Sequence, residues 1–223
     1  MSHFLNSSIG KKLIMSLAGI FLLSFLVVHL GINLTLILFE SNEPFNQAAH
    51  FMGTNVVIKV FEVVLFGGFL VHIIYGIIIQ MQNWLARGKG YKKTNHSQTS
   101  FFSKYMIHTA FIVLVFLVIH LIDFYIKAKF LGEVDDITLA NGDVVHNLGV
   151  LVTEKFQIGG YVIFYVIAIL FLGFHLHHGF QSAFKTMGLD HKTYTPLIVN
   201  FGLIYTIVVC AGFILIPLII YFR

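Results

Sequence analysis

The sequence predicts an all-α membrane protein with five transmembrane helices, and three observations carry that expectation. Of 223 residues, 57% are hydrophobic and only 11% are charged, and the mean hydropathy of +0.87 lies far outside the range of water-soluble domains. Apolar runs long enough to cross a bilayer, about 20 residues each, recur five times along the chain. The runs are apolar on every face instead of alternating, which selects helices over membrane strands. With no internal repeat, residues 1–223 form a single transmembrane domain.

The first span, about residues 13–38, opens on KKLIMSLAGIFLLSFLVVHL. It is too long for the apolar core of a signal peptide and has no small-residue cleavage site, so it reads as a retained anchor. The second and third spans are expected at about 60–82 and 105–126, the fourth at about 156–184 and the fifth at about 197–222. Thr195-Pro196 suits the start of the fifth, because proline is tolerated in a first turn. Between the third and fourth spans, LGEVDDITLANGDVVHN carries a turn signal at Asn141-Gly142 and predicts a small hairpin or a short interfacial helix. Trp84 and Tyr91 suit an aromatic belt at the membrane surface.

Basic residues mark alternate ends of these spans. Lys11 and Lys12 precede the first, Arg87, Lys89, Lys92, Lys93 and Lys104 separate the second from the third, and Lys185 and Lys192 follow the fourth. Because short cytoplasmic loops retain Lys and Arg, the N-terminus is expected inside and Arg223 outside. The net charge of +4 therefore reports orientation, and no basic face with interleaved aromatics indicates a nucleic-acid partner. The single cysteine, Cys210, excludes an internal disulfide, a cysteine-ligated cluster and the thioether attachment of a c-type haem.

Twelve histidines are the unusual feature of so apolar a chain. His3, His50, His96, His146 and His191 fall in termini or loops, where a solvated surface role is sufficient. The spans hold His29, His72, His108, His120, His175, His177 and His178, and an ionisable group in hydrocarbon is costly and usually functional. With a rise of about 1.5 Å per residue, His29 and His120 each lie about 24 Å from the cytoplasmic face. His72 and His175 lie about 15 Å and 14 Å from it, which separates the two levels by about 10 Å. Two imidazole pairs at two depths suit two stacked metal macrocycles, each iron closed by two neutral imidazoles and left with no open position for oxygen.

Glycines accompany two of these residues. His72 begins HIIYG, with Gly76 one turn along its face, Gly68 extends that bare strip, and His175 begins HLHHG, with Gly179 in the same relation. A flat macrocycle needs that clearance, although glycines in membrane helices also serve close helix packing. In FHLHHGF, His175 and His178 share a face with Gly179 whereas His177 points elsewhere. Depth favours His175 over His178 only modestly; His178 lies nearer the cytoplasm, where it suits a propionate contact.

The placement of His29, His72, His120 and His175 on the first four of five helices, with HxxxG on the second and fourth, resembles the di-haem cytochrome b membrane subunit of succinate dehydrogenases and menaquinol:fumarate reductases. The segment FHLHHGFQSAF is similar to the family's fourth-helix motif, in which the histidine before xxxG is a ligand, and the resemblance runs over essentially the whole chain. It implies two b haems, with His72 and His175 as axial ligands of the inner one and His29 and His120 of the outer. It also implies an inner (cytoplasmic) membrane location, a flavoprotein subunit carrying FAD where succinate reacts, a docked iron-sulfur subunit, and menaquinone as electron acceptor. This chain would then be the membrane anchor and electron-transfer subunit, with the succinate-oxidising site on another subunit. One position departs from the pattern: a membrane glutamate two residues before the fourth-helix ligand, which supports proton movement in some fumarate reductases, is here Gly173, which tilts the expectation toward succinate oxidation.

His108, Lys104 and the 87–93 loop are candidates for meeting propionates or the iron-sulfur subunit, and a solvated loop explains them equally. Glu43, Gln47 and His50 are weak candidates for a quinone site, with a polar loop the simpler reading. The alternatives to the whole assignment are a di-haem cytochrome b of another respiratory complex, such as a formate dehydrogenase or hydrogenase, and a histidine-lined transporter of protons or metal ions. A transporter would ordinarily place carboxylates at depth, but Glu62 and Asp123 fall near the outer ends of their spans.

Overall fold

The computed structural model describes residues 7–86 and 105–223; Arg87, Lys89, Tyr91, Lys92, Lys93, His96, Lys104 and His3 lie outside the described residues. Among the described residues five helices are long and apolar enough to cross a membrane, covering Ser8–Leu38, Val56–Leu85, Met106–Leu131, Gly159–Thr186 and Thr195–Phe222. The chain is thus an all-α membrane protein by length and composition. Most span ends differ by a few residues from those expected, because capping sets an end and hydropathy does not. Helix α1 (Ser8–Leu38) starts before the lysine pair because Ser7 Oγ accepts a hydrogen bond from Gly10 N at 3.0 Å, satisfying one of the free donors of a first turn.

A short helix α2 (Glu43–Thr54) follows, with Pro44 in its first turn, so Glu43, Gln47 and His50 lie on a helix and not in the expected loop. Helix α3 (Val56–Ala86) begins after Asn55, whose Oδ1 accepts from Val57 N at 2.9 Å. Helix α4 runs Met106–His120 and continues as a π-helical stretch over Leu121–Leu131, ended by Gly132 in the left-handed region at φ 62°, where a Cβ would be strained.

Strands β1 (Asp136–Thr138) and β2 (Val144–His146) form an antiparallel hairpin with Ile137 opposite Val145. Its turn contains Asn141 and Gly142, the latter at φ 90°. The loop also contains a short helix, α5 (Leu148–Phe156), so both forms expected there occur. Asn46 of α2, only 1% exposed, ties the two short helices together: its amide donates to Asn147 Oδ1 at 2.9 Å and its carbonyl accepts from Gly149 N at 2.7 Å.

Helices α6 (Gly159–Thr186) and α7 (Thr195–Phe222) complete the chain. The closest helix pairings are α6 with α7, α1 with α3, α4 with α6, and α1 with both α6 and α7. Two glycines of α7 permit this approach. A Cβ on Gly202 would lie 2.6 Å from Phe180 Cδ1, and one on Gly212 would lie 2.9 Å from both Leu30 methyls. The apolar core lies among α1, α6 and α7, around Leu30, Tyr165, Ile169, Val209, Cys210 and Ile216.

Helix α3 has no fully buried side chain among its described residues. It meets α4 at the hairpin end of the bundle, where Glu62 bonds both Tyr125 and Lys129. The other end, where α1 begins, is the N-terminal end of the bundle.

Candidate functional site: two imidazole pairs

Four histidines meet as two pairs, each joining helices that are not among the closely packed ones. His72 on α3 and His175 on α6 have ring centroids 6.2 Å apart with planes at 78°. His29 on α1 and His120 on α4 have centroids 5.6 Å apart with planes at 90°. The first pair lies toward the N-terminal end and the second toward the hairpin. On α1, Gly19 touches His72, and His29 follows ten residues later, about 15 Å along the axis. On α6, Tyr165 is bonded to His120, and His175 follows ten residues later, again about 15 Å. The levels are therefore farther apart than the 10 Å expected from span ends.

Each pair is held differently. A Cβ on Gly19 would stand 3.3 Å from His72 Cε1 and 3.4 Å from Nδ1, so the missing side chain lets the imidazole lie against α1. There His72 Nδ1 is 3.3 Å from the carbonyl oxygen of Met15. A carbonyl only accepts, so this contact puts the proton on Nδ1 and leaves the lone pair on Nε2. His175 Nδ1 is buried with no hydrogen-bond partner among the described residues, a state that costs about 1–3 kcal/mol when nothing else bonds the ring.

The second pair sits in aromatic surroundings. Phe25 stacks on His29 at 5.2 Å and Phe213 approaches it at 5.7 Å, while Phe124 and Phe116 lie 5.3 Å and 5.8 Å from the His120 ring. His120 Nδ1 is 3.2 Å from Tyr165 Oη, Tyr165 Oη is 3.2 Å from Tyr161 Oη, and Tyr161 Oη is 2.8 Å from Asp123 Oδ2. Lys155 Nζ closes the series at 2.7 Å from Asp123 Oδ1. Asp123 lies in the π-helical part of α4, whose wider turn sends Asp123 toward α6 and Tyr125 toward Glu62 of α3.

The remaining intramembrane histidines join neither pair. His177 Nε2 lies 3.2 Å from Gln181 Nε2 on its own helix. His178 is half-buried one turn nearer the N-terminal end than His175, and His108 is exposed beside Tyr105. Gly76 has nothing within 4 Å of its Cβ position, whereas a Cβ on Gly179 would meet only Met106 Cε at 3.7 Å. Gly68 serves packing, since a Cβ there would meet Phe21 at 3.2 Å. Gly173 faces α7, with its Cβ position in van der Waals contact with Cys210 Sγ at 3.4 Å.

These residues fit a haem. Two metal–nitrogen bonds of about 2 Å plus two ring radii separate the imidazole centroids on a shared iron by about 6 Å, which is the spacing found at both levels. Among the described residues no three His, Cys, Asp or Glu side chains converge as an ion site would need, but a porphyrin brings four nitrogens of its own and asks the protein for two. Sequence reasoning missed Met15, Gly19, Tyr161 and Tyr165. For the tyrosines a signal was present, two phenols four residues apart on one face of an apolar helix. Compared with known proteins, the chain matches no family model, no curated protein and no solved structure.

Proposed function

We propose that this chain is the cytochrome b membrane subunit of a succinate:menaquinone oxidoreductase, with His72 and His175 holding one b haem and His29 and His120 the other. The observation that carries this reading is the meeting of four histidines from four helices in two pairs at two depths, the ring centroids 5.6 Å and 6.2 Å apart and the planes near perpendicular. When bound, the two haems carry single electrons across the membrane between an iron-sulfur subunit and menaquinone.

The chain's own residues bind and orient. Met15 and Gly19 fix the His72 ring, Tyr165 fixes His120, and Phe25, Phe116, Phe124 and Phe213 surround the second pair with apolar edges that exclude water. The N-terminal end, carrying Lys11, Lys12 and Lys185, is the cytoplasmic face on which the iron-sulfur subunit and its FAD-bearing flavoprotein partner dock, and the hairpin end lies on the outer side of the inner (cytoplasmic) membrane. Gly173, packed on α7, offers no carboxylate at that depth, which supports succinate oxidation without a proton route along α6.

The test is spectroscopic. Purified in mild detergent with its partner subunits, the complex is expected to develop reduced b-type absorbance on addition of succinate, to an extent comparable with dithionite. Reduction by formate or hydrogen but not by succinate assigns the chain to another di-haem complex. A colourless preparation with no haem b contradicts the electron-transfer reading and favours the transporter.

A further inference from the structure

The series from His120 to Lys155 has room for only one complete arrangement of protons. The Asp123 carboxylate, paired with Lys155, can only accept, so Tyr161 must donate its single O–H to it. The 3.2 Å contact between the two phenols must then be filled by the Tyr165 O–H. The contact of Tyr165 with His120 can be filled only by a proton on His120 Nδ1. Three contacts and three protons thus run in one direction, from imidazole to carboxylate, and the lone pair of His120 is left on Nε2.

We propose that Tyr165 is a positioning residue for His120: backed by Tyr161 and the Asp123–Lys155 ion pair, it fixes the ligating tautomer and makes His120 Nε2 a stronger electron donor than it would be without that partner. The inference rests on the haem reading and goes beyond it. A ligand imidazole whose other N–H is bonded toward negative charge gains basicity, and a more basic axial ligand favours the oxidised iron, lowering the potential. His72 has only a neutral carbonyl behind it, so the effect belongs to one level and not the other.

The experiment uses the full chain with its partner subunits in membranes, titrated optically against potential, with haem content measured on the same samples. His120→Ala first identifies which haem component belongs to this level. Tyr165→Phe keeps the ring and removes the hydroxyl. It is expected to keep two haems per chain and shift only that component to a higher potential, by roughly tenfold in its oxidised-to-reduced ratio, about 59 mV for one electron. Tyr161→Phe and Asp123→Asn leave the Tyr165–His120 contact intact and are expected to shift the same component in the same direction by roughly threefold. These two variants decide the matter if Tyr165→Phe does not assemble.

Unchanged potentials in all three variants with two haems retained would overturn the inference while leaving the haem assignment in place. Equal shifts of both components would also overturn it, since that is what general loosening of the bundle produces. Absence of haem from the wild-type preparation would instead remove the reading on which the inference rests.

Discussion

The two histidine pairs are built from the same side chain and hold it by opposite means. At the N-terminal level the imidazole of His72 is pressed against backbone: a missing Cβ at Gly19 and the carbonyl of Met15 hold it. At the hairpin level His120 stands on a side-chain scaffold of Tyr165, Tyr161, Asp123 and Lys155, inside a ring of phenylalanines. Backbone support is rigid and tolerates no added volume. Side-chain support is adjustable, and it links the buried ring to charges at the membrane surface. One level is thus vulnerable to steric change on α1, the other to removal of single hydroxyl or carboxyl groups.

The largest effect tests whether the pairs are independent. Replacing His175 with Ala should reduce haem b from two to one per chain and leave the other component's spectrum and potential in place, and His29→Ala should do the converse. The next largest breaks the level held by backbone alone. Gly19→Val should displace the His72 ring from Met15, since a Cβ there already stands 3.3 Å from it. Redox titration should show the His72/His175 component lost or strongly shifted with the other unchanged.

The smallest effect lies off both levels. Gly202→Ala puts a methyl 2.6 Å from the Phe180 ring, an overpacking of the α6–α7 contact worth about 1–3 kcal/mol. A lowered thermal unfolding midpoint in detergent with both haems retained is the expected result. Haem loss there would mean that α7 packing and the histidine pairs are one unit.

What could be read from the sequence was what depends on distance along the chain. Five spans follow from run length and composition, and the matching of His29 with His120 and of His72 with His175 follows from helix rise. Rotation about a helix axis is not written in hydropathy when every face is apolar, so the approach of Gly19 to His72 and the direction of Tyr161 and Tyr165 were invisible. The 10 Å separation came out short because it was counted from span ends, which do not lie at one level, whereas Gly19 against His72 and Tyr165 against His120 mark the levels by contact. Helix α2 escaped notice because EPFNQAAHFMGT is polar enough to read as loop, and it becomes ordered through Asn46, whose partners are about a hundred residues away. The π-helical turn after His120 leaves no mark in residue type; it is visible only through the partners it supplies to Asp123 and Tyr125.

The most direct test of the central claim is haem content by pyridine haemochrome on the purified chain, wild type beside the His29, His72, His120 and His175 alanine variants. The account predicts two haem b per wild-type chain and one in each variant, with His72 and His175 removing one spectral component and His29 and His120 the other. A wild-type value near zero, or His72 and His29 removing the same component, would contradict it.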